Sequence, residues 1–269
     1  MRADLLVATD LDRTMIYSAA ALDLPGPDEQ APTLICAEVL DGVPLSFLTM
    51  AALDSLRQVD ARRALVPITT RTDAQYRRIR FPGVHPGYAV TTNGGSILVD
   101  GVRDPQWRAA MDAAVAASAV PLTVVVDHLA EAAVGDWVLK RRLGDELFCY
   151  LVVEPAALPA GFVAELDGWC RARGWWVSRQ GRKIYAMPLT LTKERALAEV
   201  ADRTGARGWL AAGDGALDAG FLAAAEQAMR PPHGELAALG WTAPRVSIAT
   251  ATGVLAGEEM AAWFVDRLG

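Results

Sequence analysis

Cysteine is scarce in this chain: there are three, Cys36, Cys149 and Cys170. They are far apart, odd in number and at no zinc-ligand spacing, which argues against a disulfide framework or a cysteine zinc site and fits reduced, buried thiols in a cytoplasm. Histidine is equally rare, and His85, His128 and His233 share no motif, so none is assigned a ligand role. There is no excess of positive charge either. The 26 Lys+Arg against 32 Asp+Glu leave a net charge of −6 and a pI near 5.2, which argues against nucleic acid or an anionic membrane as a partner. Long apolar runs are also missing. Leu5–Thr9 is cut short by Asp10 and Asp12, and the longest uncharged stretch, Ala113–Val126, has 14 residues with Pro121 inside it; a membrane helix needs about 20. No internal repeat or low-complexity tract stands out. The expectation is a soluble cytoplasmic protein, with oligomeric state left open.

The 269 residues are 52% hydrophobic and 22% charged, an ordinary globular composition in a length that suggests about two domains. Short apolar runs end abruptly in polar or glycine-rich turns: Leu5–Thr9, Ala64–Thr69, Tyr88–Thr92, Trp209–Ala212 and Val246–Ala249. Non-alternating runs of this length suit strands of a parallel sheet covered on both faces. Helical segments lie between them: Ala51–Val59 after the N-cap candidate Thr49, and Glu194–Arg203 before Gly205. The alternation predicts an α/β fold with a Rossmann-like, doubly wound parallel core. Asp41-Gly42 predicts a hairpin between Leu34–Leu40 and Leu45–Leu48. The middle of the chain reads differently. Asp104-Pro105 opens a helix to about Ser118. Strand-like stretches Leu122–Val126, Trp137–Arg141 and Leu147–Val153 follow, then a helix at about Gly161–Arg173 and two strands flanking Gln180-Gly181. Grouped strands with only two helices predict an inserted α+β module, residues 104–183, within a core of residues 1–103 and 184–269.

Open α/β sheets bind ligands at the carboxyl ends of their strands. The first strand is followed by Asp10-Leu11-Asp12-Arg13-Thr14, the second by Thr69-Thr70-Arg71, and the run Trp209–Ala212 by Gly213-Asp214-Gly215-Ala216-Leu217-Asp218; Lys193 opens the helix before that run. Taken singly, each is a common turn, cap or surface residue. Together they bring four carboxylates, a hydroxyl and an ammonium to one edge of one sheet. Asp10 can attack as a nucleophile while Asp12, two residues on, serves as acid and then base. Two further acids offer hard oxygen ligands to Mg²⁺, and Thr69 and Lys193 supply donors for phosphoryl oxygens. The set suits phosphoryl transfer through an aspartyl-phosphate.

In these motifs and their order, the sequence resembles the haloacid dehalogenase superfamily of phosphohydrolases. The resemblance implies that Asp10 is the nucleophile, Asp12 the general acid/base, and Thr69 and Lys193 the phosphoryl contacts. It further implies that Asp10, the main-chain carbonyl of Asp12, and Asp214 bind Mg²⁺, with Asp218 orienting Lys193 or a metal-bound water. Thr69 and Lys193 are 124 positions apart, against 57 between Asp12 and Thr69; a βαβ unit needs only about 30, so the longer gap holds an inserted cap. Its position resembles the C2 cap of subfamily IIB, the group of Cof-type, sucrose-phosphate and mannosyl-phosphoglycerate phosphatases. Gln180–Tyr185 and Pro231–Glu235 also resemble a subgroup associated with tellurium-resistance gene clusters. The chain departs from the family pattern at Leu217, where many Cof-type members carry Asn, at Thr70, where Gly is usual, and in the longer, Pro-rich segment Tyr17–Thr33.

The substrate implied is a small phosphorylated metabolite such as a sugar phosphate. Contacts to it are expected from Thr70 and Arg71 beside the phosphoryl site, from Asn93 and Gly94 at the entry to the cap, and from Arg179, Arg182 and Lys183, the densest basic spot in the cap. Two alternatives remain open at this level: a phosphomutase passing the phosphoryl group from Asp10 to another hydroxyl, and a non-catalytic protein that binds phosphoryl groups or Mg²⁺ within a stress-response complex. Trp175-Trp176 alternates with strand period and is read as core packing.

Overall fold

The computed structural model describes residues 4–269, which fall into two compact units. One runs to Asp104 and resumes at Lys193; the other comprises Pro105–Thr192.

In the first unit the apolar run Leu5–Thr9 forms β1, and the Asp41-Gly42 turn closes a hairpin of β2 (Leu34–Leu40) and β3 (Val43–Thr49). Thr49 accepts the Ala52 N–H at 3.0 Å and so caps α1 (Met50–Ala61). β4 (Leu65–Pro67) is followed by a single-turn helix, α2 (Asp73–Tyr76). β5 (Tyr88–Thr91) turns back through 92–94 into β6 (Ser96–Val99) and β7 (Val102–Arg103).

The inserted unit contains α3 (Pro105–Ser118), α4 (Leu122–Ala132), β8 (Val138–Gly144), β9 (Phe148–Val153), α5 (Phe162–Arg171), β10 (Trp175–Gln180) and β11 (Lys183–Pro188). Its antiparallel sheet has the order β10-β11-β9-β8. Trp175 is fully buried there, donating its indole N–H to the Val120 carbonyl at 2.9 Å. Gly174, at φ +79°, ends the α5 segment where a Cβ would strike the Ser118 carbonyl.

The chain then returns through α6 (Lys193–Thr204), β12 (Gly208–Ala212), α7 (Ala219–Ala223), β13 (Gln227–Arg230), α8 (Glu235–Ala238), β14 (Val246–Ile248) and α9 (Gly253–Leu268). The core sheet is wholly parallel, in the order β14-β13-β12-β1-β4. Alternate residues of the strands point to opposite faces. Val7, Leu65 and Leu210 meet Leu53, Leu56 and Val59 of α1 and Met260, Ala261 and Phe264 of α9 in one apolar cluster.

Three expectations from the sequence are corrected, and one strand is added. Leu122–Val126 is helix rather than strand, so the inserted unit has three helices. Its valines favour β structure in isolation, but Val125 and Leu129, one turn apart, bury a common helical face. Tyr88–Thr91 is a strand, yet of the antiparallel set β5-β6-β7. The left-handed Thr92 and Asn93 (φ 54° and 55°) reverse the chain into β6, and β5 is bridged to the core sheet at Ile68–Val90. The added strand, β13, is short and has no β-branched residue, so nothing in the sequence marks it. The core does not resume at 184: β11 pairs with β9 and β10 along its length, which keeps Lys183–Pro188 in the inserted unit. Among the described residues, no single helix is long and apolar enough to cross a membrane.

Candidate active site

β1 lies between β4 and β12, and the residues just beyond these three strands remain held by the backbone ladder. The Asp10 N–H donates to the Ala212 carbonyl at 2.9 Å, the Ile68 N–H to Thr9 at 2.8 Å, and the Thr69 N–H to Val90 at 2.9 Å. After Asp10 the chain folds into a tight turn in which the Leu11 carbonyl accepts the N–H groups of Thr14, Met15 and Ile16, with Arg13 left-handed at φ 63°. The carboxyl rim of the sheet therefore presents Asp10, Thr69 and Asp214 from three neighbouring strand ends on a rigid frame.

Lys193, the first residue of α6, is 1% exposed. Its Nζ lies 2.6 Å from Asp10 Oδ1 and 2.5 Å from Asp218 Oδ1. The other oxygen of Asp218 accepts the N–H groups of Asp214 (3.0 Å) and Gly215 (2.8 Å). Asp218 thus has both oxygens engaged within the protein, holding Lys193 on one side and the Asp214 loop on the other. Oxygens of Asp10, Asp214 and Asp218 all lie within 4.8 Å of one another. Burial pushes the Asp10 carboxyl up to about 7 against the opposing pull of Lys193. Burial, with the charges of Asp10 and Asp218, also holds Asp214 well above the usual carboxylate range. Burial alone would lower Lys193; the two carboxylates outweigh it and keep the ammonium charged. Three buried acids thus share one buried ammonium, which pairs directly with Asp10 and Asp218. A compact, all-oxygen donor set of this kind fits a hard divalent cation such as Mg²⁺. Arg13, half exposed, approaches Asp214 only to 3.9 Å.

The opposite wall was not legible from motifs. Asp12 is bound in bidentate fashion by Arg71, whose Nε and Nη2 each lie 2.7 Å from a separate carboxylate oxygen. Arg71 Nη1 donates to Glu38 Oε2 at 2.9 Å, and Arg78 Nε donates to Glu38 Oε1 at 2.9 Å. Glu38 is 2% exposed. The only sequence hint of it was an acid in a hairpin strand, which is ordinarily solvated. A second wall that the sequence reading missed supports Asp214. Gly234, at φ +89°, packs so closely that a Cβ there would lie 2.5 Å from Asp214 Oδ2, and Glu235 accepts the Ala216 N–H at 2.9 Å.

Thr69 is fully buried and its Oγ1 accepts the Arg71 N–H at 3.1 Å. Asn93 and Gly94 are buried beside the same loop: the Asn93 N–H donates to the Thr69 carbonyl (3.0 Å) and the Thr92 N–H to the Arg71 carbonyl (2.7 Å). Thr70 is part-exposed on that loop. Arg179, Arg182 and Lys183 belong to the inserted unit, at the exposed β10–β11 turn, where Arg182 lies 4.0 Å from Glu154. The first unit thus brings together Asp10, Asp12, Thr69, Thr70, Arg71, Asn93, Gly94, Lys193, Asp214 and Asp218.

No family model and no curated protein matches the chain. Its fold does match solved structures. Sucrose-phosphatase from Synechocystis, in complex with sucrose and phosphate, superposes with a TM-score of 0.65 at 20% identity, covering 98% of each chain. A trehalose-6-phosphate phosphatase related protein gives 0.55 at 14% identity over 97% of each. A subclass IIB sugar phosphatase of the haloacid dehalogenase superfamily gives 0.55 at 11% identity, covering 97% of this chain and 99% of that one. The likeness extends over both units and is one of fold, shared with solved structures of sugar phosphatases.

Proposed function

We propose that this chain, which carries the haloacid dehalogenase fold, is a Mg²⁺-dependent phosphatase hydrolysing a small phosphorylated metabolite, with sugar phosphates the leading class. The observation that supports the reading most is the ion-paired cluster of Asp10, Lys193 and Asp218, with Asp214 beside it, assembled from three separate segments on one sheet rim. A buried cluster of acids around a buried lysine is costly to fold and has a ready purpose in phosphoryl transfer, where catalysis is chiefly positioning and charge stabilisation.

In the proposed mechanism the Asp10 carboxylate attacks phosphorus and the ester P–O bond breaks, while Asp12 gives its proton to the departing oxygen. Asp12, now ionised, takes a proton from water as that water attacks the aspartyl-phosphate; inorganic phosphate leaves and Asp10 is regenerated. Lys193, held by Asp218, and Thr69 would neutralise and orient the non-bridging oxygens. Mg²⁺, held by Asp10, Asp214 and the main-chain carbonyl of Asp12, would supply further charge for those oxygens. Thr70, Asn93 and Gly94 would shape the floor of the phosphoryl site. Arg179, Arg182 and Lys183 are proposed to contact the leaving group, and the names of the matched sugar phosphatases make a polyhydroxy leaving group the first to test.

The test is Mg²⁺-dependent release of phosphate from 4-nitrophenyl phosphate and a panel of sugar phosphates by the purified protein. Asp10→Asn, checked for folding by circular dichroism, is expected to abolish turnover. Undiminished turnover in that variant removes Asp10 from the mechanism.

A further inference from the structure

Most of the charged residues at this site lie where the chemistry needs them, but Glu38 has no part in the reaction outlined above. It sits on β2, where Val39 and Leu40 are exposed by 51% and 41%, yet Glu38 itself is 2% exposed. The β2–β3 register shifts on either side of it, between Cys36 and Glu38 and between Glu38 and Val39. Such a bulge re-aims a side chain. Three donors meet the inward carboxylate: Arg71 Nη1 (2.9 Å) and Ser46 Oγ (3.2 Å) at Oε2, and Arg78 Nε (2.9 Å) at Oε1. Beside it, the Ala37 carbonyl accepts the Arg80 N–H at 2.8 Å, which fastens the hairpin to the segment carrying Arg78. Arg71, only 12% exposed, then spends its remaining fork on both oxygens of Asp12.

We infer that Glu38 is a positioning residue: through the planar guanidinium of Arg71 it fixes the orientation of the Asp12 carboxylate for proton transfer. A buried acid is a poor device for stability alone, since an apolar residue fills such a place at no desolvation cost. It is a good device for orienting a guanidinium, because the fork is rigid and bonds two carboxylates at defined angles. Asp12 itself is 46% exposed and sits on a turn. Arg71 gives it a fixed direction, and Glu38, with Arg78 and Ser46 behind it, gives Arg71 one. Small displacements of a catalytic group far from the mutated atom cost up to about 100-fold in rate.

The inference rests on the phosphatase reading and on Asp12 as its acid. The experiment compares kcat/KM for 4-nitrophenyl phosphate, whose leaving group departs readily without a proton, with phenyl phosphate, whose leaving group depends on one. In Glu38→Gln the phenyl/nitrophenyl ratio is expected to fall about tenfold, part of the larger fall in Asp12→Asn, since general acid–base catalysis is worth about 10²–10⁴. Adding Glu38→Gln to Asp12→Asn is expected to lower the ratio no further. An equal loss on both esters in Glu38→Gln, or an undiminished further loss in the double variant, overturns the inference. If Glu38→Gln does not fold, Ser46→Ala, which removes one donor to Glu38, is expected to lower the ratio about two- to threefold; an unmoved ratio is the overturning result. A wild-type protein inert on both esters defeats the phosphatase reading itself, whereas an active one with an unmoved ratio defeats only the role of Glu38.

Discussion

Replacing Lys193 by methionine, a side chain of similar length, probes the cluster at its centre. The ammonium is 1% exposed and has Asp10 and Asp218 at 2.6 and 2.5 Å. Removing one partner of a buried ion pair costs about 3–5 kcal/mol, because the surviving carboxylates keep their desolvation penalty without their counter-charge. At about 2–4 °C per kcal/mol for a protein of this size, Lys193→Met should lower Tm by roughly 6–20 °C at pH 8 without metal. The sign with pH follows from Asp10. Lys193 pulls that carboxyl down from where burial would put it, so in the variant Asp10 takes up a proton more readily. The deficit should therefore shrink at pH 5, where a neutral Asp10 needs no counter-ion. Thermal unfolding followed by circular dichroism at pH 5 and pH 8, with and without Mg²⁺, measures both effects. A variant melting within about 2 °C of the wild type at pH 8 refutes the claim that this ion pair is buried and mutually dependent.

Two further predictions concern the same rim. The Asp10 carboxyl stands near 7 in the folded protein against 3.8 ordinarily, so the native state binds more protons than the unfolded one across that window. Its contribution is fully favourable below about pH 4 and is lost as pH rises through about 7, by up to about 4 kcal/mol. Urea unfolding of metal-free protein should show this fall, and saturating Mg²⁺ should flatten it; a metal-free stability that rises from pH 5 to pH 8 contradicts it. Gly234→Ala should destabilise by about 2–4 kcal/mol, since φ +89° with an extended ψ is a region only glycine occupies readily and the added methyl would press on Asp214. Urea denaturation midpoints compare the two proteins, and an unchanged midpoint shows that the loop relaxes freely.

Much of the candidate site was legible because most of its residues follow strands that announce themselves. Leu5–Thr9 is an uninterrupted apolar run stopped by two acids, and the strand has those bounds. Thr69 and Asp214 follow such strands and Lys193 opens the helix that leads into β12, which places all three where parallel strands end on one rim. Asp218 was legible as a candidate site residue, but its division of labour was not. That one oxygen serves Lys193 and the other two main-chain amides is a matter of ångströms. Glu38 shows the opposite case. Nothing local separates it from the exposed Val39 and Leu40, because a bulge turned it inward and its partners come from 33 and 40 positions away. Leu122–Val126 failed for a related reason: valines favour a strand, and only the neighbours that cover Val125 and Leu129 make a helix the better burial.

From the sequence alone came the α/β class, the inserted module, and the identity and chain order of Asp10, Asp12, Thr69, Lys193 and Asp214. These depend on hydrophobic periodicity and on chemistry at strand ends, which are properties of short segments. Only the tertiary structure decided that Arg71 grips Asp12, that Glu38 stands buried behind it, that β5 turns back antiparallel and that β11 stays with the inserted unit. Each of these is settled by the balance between desolvation and pairing with residues remote along the chain, and that balance exists only once the chain has closed on itself.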